Sequence, residues 1–316
     1  MDIAPGLSDL RKIAGKTVLV TGGTGFIGSH IVNVLRTNCD VIVLSRKTKT
    51  KGVQTVIADI TRESEMEKAL SGIDIDLIFH AAGNTNTPFH TSEIDHFSIN
   101  SRGTRNILSL AVKKDVSQVI YSSSMEVYES SQALPITEDH PAIPVSNYGI
   151  SKWSGEHYCS EFSRHYGLNT TILRYSYVYG PRLPSFRVVS RFISNILEGK
   201  SIVLNNAGKS TTDYVFVMDV VISNILAATK DSKKCSIFNI GSGIETSVER
   251  LAQEIVEILG LGSLQYNPPE QKKPDRFVLD ISKAKNELGY SPAFSLREGL
   301  KEQIQYLVQP GSGKQG

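Results

Sequence analysis

The sequence predicts an α/β fold, a doubly wound parallel sheet followed by a smaller C-terminal α/β lobe. Three observations carry this. Short β-branched runs alternate with helical patterns, the runs are apolar on both faces, and a cluster of glycines stands at the first strand-to-helix junction. A strand with no polar face has to be covered on both sides, which the crossover helices of a parallel sheet provide. Ligands in such folds sit at the carboxyl ends of the strands.

The elements follow in order. Residues 17–20 (Thr-Val-Leu-Val) read as a buried strand, and 27–35 as the helix after the glycines. Strands are expected at 41–44, 53–57, 77–80, 119–122 and 171–174, with helices at 63–70, 99–113 and 149–166 between them. Beyond Gly180 the pattern loosens to a helix at 188–198, strands at 215–217 and 237–240, and a helix at 248–259. The expected division is a nucleotide-binding unit over 1–180 and a mainly substrate-binding lobe over 181–309, with part of 213–240 returning to the main sheet. Residues 310–316, rich in glycine, read as a flexible tail.

Bulk composition narrows the function classes. Across 316 residues the hydrophobic content is 40%, the charged content 21% and the net charge +2, the balance of a soluble globular protein. No basic block large enough for nucleic acid is present; the one basic cluster runs from Arg46 to Lys51 and reads by default as a solvated loop. Cys39, Cys159 and Cys235 are scattered, without disulfide or metal-ligand spacing, so no metal is expected and a reducing cytoplasm is the natural compartment. The N-terminal residues lack the apolar core of a secretory signal, and no run is long enough to span a membrane.

Gly22, Gly25 and Gly28 give a G-x-x-G-x-x-G spacing, and Thr24, Phe26 and Ile27 fill the turn between them. Glycines there let the backbone approach a pyrophosphate whose charge the helix N-terminus stabilises, the signature of a dinucleotide-binding Rossmann unit. The second strand ends in Ser45-Arg46 where an NAD site usually carries an acid, and a hydroxyl with a guanidinium suits a 2′-phosphate. NADP is therefore expected ahead of NAD. Asp59, before Ile60, stands where it would accept from the adenine amino group or cap the next helix.

Tyr148 and Lys152 are four apart, hence on one face of a helix. A nearby ammonium favours phenolate, so Tyr148 is expected to titrate below its ordinary value and serve as general acid/base. Ser124 closes the serine triplet after the fifth expected strand, and its hydroxyl suits a substrate hydroxyl or carbonyl. Each feature alone has a bland reading, a surface helix pair or a polar strand exit. Their order along the chain matches what this fold needs for one site.

These residues, together with His80-Ala81-Ala82-Gly83, Leu173-Arg174-Tyr175, Val178-Tyr179-Gly180-Pro181 and Phe238-Asn239-Ile240-Gly241, resemble the extended short-chain dehydrogenase/reductases over about 16–307. Within them the chain is similar to the nucleotide-sugar epimerase/dehydratase branch. The resemblance implies catalytic roles for Ser124, Tyr148 and Lys152, the lysine also holding the nicotinamide ribose, cofactor contacts at Ala81, Ala82, Gly83 and Tyr175, and a homodimer through helices near 99–114 and 149–166. It implies a catalytic acid at Glu126, whose bland reading is a loop carboxylate facing water. Met125 stands where dehydratases carry Asp or Ser, Tyr177 where the family has Asn, and Thr212 where it has Arg. For the nucleotide diphosphate there remain Arg276, Arg182 and Arg187, with Tyr177 itself a substrate contact. The expected reaction is transient oxidation at a sugar C4 by an NAD(P)-dependent epimerase or dehydratase. The alternatives are an NADPH-dependent 4-keto-sugar reductase and, more distantly, a dinucleotide-sensing protein without catalysis.

Overall fold

The structure is a computed structural model and describes residues 7–85, 96–128, 133–230, 234–268 and 274–309; the tail expected at 310–316 lies outside them. The first half of the main sheet is built from β1 (Thr17–Thr21), β2 (Asp40–Ser45), β3 (Gln54–Ile57) and β4 (Leu77–His80), with α1 (Phe26–Leu35) and α2 (Glu63–Ala69) between them. A π-helical turn at Phe97–Arg102 leads into α3 (Gly103–Lys113), then β5 (Gln118–Ser124), α4 (Asn147–Tyr166) and β6 (Asn169–Tyr175). After β7 (Tyr177–Tyr179) come α5 (Val188–Leu197), β8 (Ile202–Leu204), β9 (Thr211–Phe216), α6 (Val217–Thr229) and β10 (Ser236–Ile240). The chain ends with β11 (Glu245–Ser247), α7 (Val248–Leu259), β12 (Leu264–Tyr266), α8 (Ser282–Leu288) and α9 (Leu296–Val308).

Seven strands form one parallel sheet in the order β10-β6-β5-β4-β1-β2-β3. The order in which strands are added reverses between β1 and β4, which makes that interior junction the switch point where a crevice opens. Every residue of β4 and β5 is buried, as strands covered on both faces must be. Val18 and Val20 pack with Ile31 and Leu35 of α1 and Val220 of α6. Leu19, pointing the other way, packs with Met66 of α2, Ile107 of α3 and Phe162 of α4.

The lobe has its own core of Val189, Ile193, Leu251, Ile255, Leu300 and Ile304 around Tyr179, Tyr214 and Phe216. It holds a three-stranded sheet ordered β11-β9-β7 and a two-stranded one, β12-β8. β10 lies in the main sheet and β9 in the lobe, so the chain between them crosses back through α6. Val217, expected as strand, instead opens α6, because Phe216 is the extended residue that caps it. The sequence reading placed no helix at α9, though Ser295 and Glu298 form a reciprocal capping box at its start.

α4 is anchored to β6 by a buried ion pair. Glu156 receives Arg174 through Nε at 2.9 Å and Nη2 at 2.5 Å, with both side chains 5% exposed. Ser123 on β5 donates to the same carboxylate, and Arg174 Nη1 donates to the Tyr128 phenol, which donates in turn to Asn239 on β10. Removing one member leaves the other charge buried and unpaired, so Glu156→Gln is expected to cost about 3–5 kcal/mol in urea unfolding. A paired Glu156→Leu/Arg174→Leu variant should cost less than the sum of its single changes.

Candidate active site

β1 delivers the chain to a turn only glycine fits. Gly22 takes φ +70°, and a Cβ there would lie 2.6 Å from the Ala82 nitrogen; one on Gly28 would lie 2.2 Å from the Gly22 carbonyl oxygen. No side chain caps α1 at Gly25, so its first amides are left for a ligand. Thr24, Gly25, Phe26, Ile27 and Gly28 line one end of a cleft of about 700 Å³. The wall continues through Ser45 and Arg46 at the end of β2, Asp59 and Ile60 after β3, and Ala81, Ala82 and Gly83 after β4. It closes on Ser124, Met125, Glu126, Tyr148, Tyr175, Tyr177 and Arg187. The glycine cradle and open helix terminus fit a dinucleotide.

His80 fixes the loop after β4. Its Nδ1 lies 2.6 Å from the Thr21 hydroxyl and its Nε2 3.0 Å from that of Thr104, while Ala82 N–H donates to the Thr21 oxygen. Burial first, and the Lys152 charge second, push the imidazole down to about 3, so it stays neutral. Thr104 donates to the Asn100 carbonyl, which assigns the ring proton to Nε2.

Tyr148 and Lys152 stand in the first turns of α4, whose N-cap is the Ser146 hydroxyl, bonded by Gly149 N–H at 2.9 Å. The same hydroxyl donates to Glu126 Oε2 at 2.9 Å, tying that carboxylate to the helix start. Tyr148 does not titrate as the sequence suggested. Burial pushes its phenol up, the Glu126 carboxylate adds to this, and the Ser124 hydrogen bond and Arg187 charge only partly oppose them. The ammonium expected to oppose this is engaged elsewhere: Lys152 Nζ donates to the Ser122 carbonyl at 2.8 Å and sits over the Tyr121 ring. Burial brings that ammonium down to about 8, against the Glu156 charge.

The model for the NAD dependent epimerase/dehydratase family matches residues 18–241. The chain belongs to this family. A putative UDP-glucose 4-epimerase of Methanocaldococcus jannaschii is 37% identical over 303 residues, covering 92% of this chain and 98% of that protein. Among solved structures, the Thermotoga maritima UDP-glucose 4-epimerase with UDP-glucose superposes at TM-score 0.85 with 34% identity, covering 92% of this chain and 98% of that one. The Bacillus cereus UDP-glucuronic acid 4-epimerase with UDP-glucuronic acid and NAD gives 0.82 and 26%, over 92% and 98% of the two chains. The protein is thus an NAD(P)-dependent enzyme of the extended short-chain dehydrogenase/reductase type, and among its described residues no helix is long and apolar enough to cross a membrane.

Within this family member the other expected residues divide. Asp59 does not cap α2, whose N-cap Arg62 has no side-chain partner; it accepts from Thr61 N–H and hydroxyl in the turn before that helix, and lines the cleft. The Tyr175 phenol is bonded to Ser122 and Asn224, and the Tyr177 phenol accepts from Val188 N–H at the start of α5. Arg187 donates to the Thr85 carbonyl inside the cleft. Arg182 is exposed, with φ +70°, and is not part of the cleft wall. Arg276 is not there either. It is held fork-to-fork by Glu245 at 2.6 Å on each oxygen, and β9 separates β11, which carries Glu245, from the cleft strand β7. Asn100, which the sequence reading passed over, is fully buried in the π-helical turn. It bonds both backbone groups of Asn84 and donates to Ser151, which donates to the Tyr148 carbonyl. No local signal singled it out, since it stands beside Ser98, Ser101 and Arg102 in a largely polar stretch.

Lys152 supplies a pH test. Its folded value of about 8 lies below the ordinary 10.5, so the cost of burying the ammonium is fully present below pH 8. Between the two values the unfolded chain binds the extra proton, and stability recovers as pH rises. Guanidinium unfolding should therefore show Lys152→Met faring better relative to wild type at pH 7 than at pH 10. A difference that does not change with pH would mean the ammonium is not held at a desolvation cost.

Proposed function

We propose that this enzyme epimerises a nucleotide-activated sugar at C4, with Tyr148 moving the hydroxyl proton and Ser124 orienting that hydroxyl. The observation that carries the reading is the buried Tyr148 side chain, which lines the same cleft as Ser124, Glu126 and the glycine turn. A dinucleotide held by the glycine turn would supply hydride exchange, and the positive charge of its oxidised ring would favour the phenolate form of Tyr148. Lys152 is then a second cation on the phenol's helix, and Glu126, fixed by Ser146, is the carboxylate nearest the start of that helix. Met125 lines the cleft where a dehydratase would need an acid, which favours epimerisation over loss of water. The curated and solved relatives support a UDP-linked sugar.

At the ribose end, Ser45 and Arg46 line the cleft and no acid ends β2, which supports NADP over NAD. The same pair favours the second reading, a 4-keto-sugar reductase fed by exchangeable NADPH. Mass spectrometry of the dinucleotide released on denaturing the purified protein separates the two. Stoichiometric dinucleotide is expected for the epimerase, and its identity settles the ribose end. An empty site that binds NADPH reversibly would install the reductase. Tyr148→Phe is expected to lower turnover at least about 10³-fold while keeping the dinucleotide; retained activity would remove the phenol from the mechanism.

The outer face of the π-helical turn, α3 and α4 carries exposed Phe97 beside Arg105 and Tyr158 around a groove, which supports pairing of two copies there. Three free thiols suit a reducing cytoplasm.

A further inference from the structure

Six buried side-chain atoms among the described residues have no hydrogen-bond partner, and Ser176 Oγ is the one whose residue lines the cleft. Ser176 is 6% exposed. A hydroxyl sealed from water without a partner is destabilising, so such a group calls for an explanation. Its neighbours do not provide one within the fold.

The strand geometry says where this hydroxyl belongs. Ser124 and Tyr175 are register partners on β5 and β6, so Ser176 lies one residue beyond the level of Ser124 on the adjacent strand. Its N–H still donates to the Ile240 carbonyl at 2.9 Å, which continues the ladder and keeps the alternation of faces. Tyr175 reaches Ser122 and Asn224 of α6 on one side. Arg174 reaches Glu156 of α4 on the other. By alternation Ser176 shares the face of Arg174, opposite to Tyr175 and its register partner Ser124, and it meets the cleft where the strands end. Ser176 stands in the cleft wall between Tyr175 and Tyr177.

We infer that Ser176 is a specificity-determining residue of the sugar subsite, its hydroxyl bonding a substrate hydroxyl beside the reacting carbon. This rests on the reading of the cleft as a nucleotide-sugar site. A polar group that is satisfied only by the right ligand rejects analogues lacking that hydroxyl, because they leave it unpaired again. Tyr177, the next residue, accepts from Val188 N–H through its phenol oxygen, which leaves its own proton free for a second contact.

The test compares wild type and Ser176→Ala on whichever of UDP-glucose, UDP-glucuronic acid and UDP-N-acetylglucosamine is bound best, followed by the 2-, 3- and 6-deoxy analogues. Kd by calorimetry, kcat/KM and retained dinucleotide are read together. The expected result is a loss of about 5- to 100-fold in affinity for the full sugar, with the gap closing for one deoxy analogue and dinucleotide content unchanged. An equal loss across all analogues would make Ser176 merely structural and overturn the assignment, as would no loss at all. Loss of dinucleotide instead of sugar would place the contact on the cofactor and also overturn it. If wild type holds dinucleotide but binds none of the nucleotide sugars, the reading of the cleft fails, and this inference with it.

Discussion

The Arg174–Glu156 pair is the interaction on which the rest depends. Two full charges taken out of water are tolerated only when geometry and further hydrogen bonds compensate them, and here Ser123, Tyr128 and Asn239 do so. Through them β5, β6, β10 and α4 meet at one buried point. Because α4 cannot rotate or slide without breaking it, the start of that helix, with Tyr148 and Lys152, is held over the carboxyl end of β5. A hydrophobic contact would bind the helix as firmly but without a fixed rotation, since apolar packing is not directional.

Burial governs the electrostatics of the site more than pairwise charge does. His80 is kept neutral, Lys152 is brought toward neutrality and Tyr148 is held as phenol, and in each the largest cause is removal from water. These shifts act in concert. A neutral His80 fixes the loop at Ala82 without adding a second cation beside Lys152, whose charge is itself one cause of the imidazole's depression. Glu126 works against ionisation of Tyr148 while Arg187 works for it, so the phenol stands between opposite charges whose balance a charged ligand would change.

Three arginines of the lobe are paired away from the cleft. Arg276 is committed to Glu245, and Arg250 and Arg297 are both committed to Glu254. α9 braces the β7–α5 corner from behind, with buried Gln303 accepting from Gly180 N–H and donating to Ser190. The corner so held carries Tyr177 and Arg187 into the cleft.

What the sequence determined by itself is the part written in local chemistry. The glycine spacing, the two-faced apolar strands and the Tyr148–Lys152 interval each depend on residues near one another in the chain, and steric or periodic rules read them directly. The smaller elements β7, β8, β11 and β12 were not legible, because three-residue strands carry too short a period and owe their existence to the partner they pair with. Asn100, the turn of Lys152 toward Ser122 and the capture of Arg276 by Glu245 were decided only by tertiary structure. The physical reason is common to all three. A side chain's partner and its exposure to water are set by residues far away in sequence, and those two quantities fix both where a charge points and whether it is worth keeping.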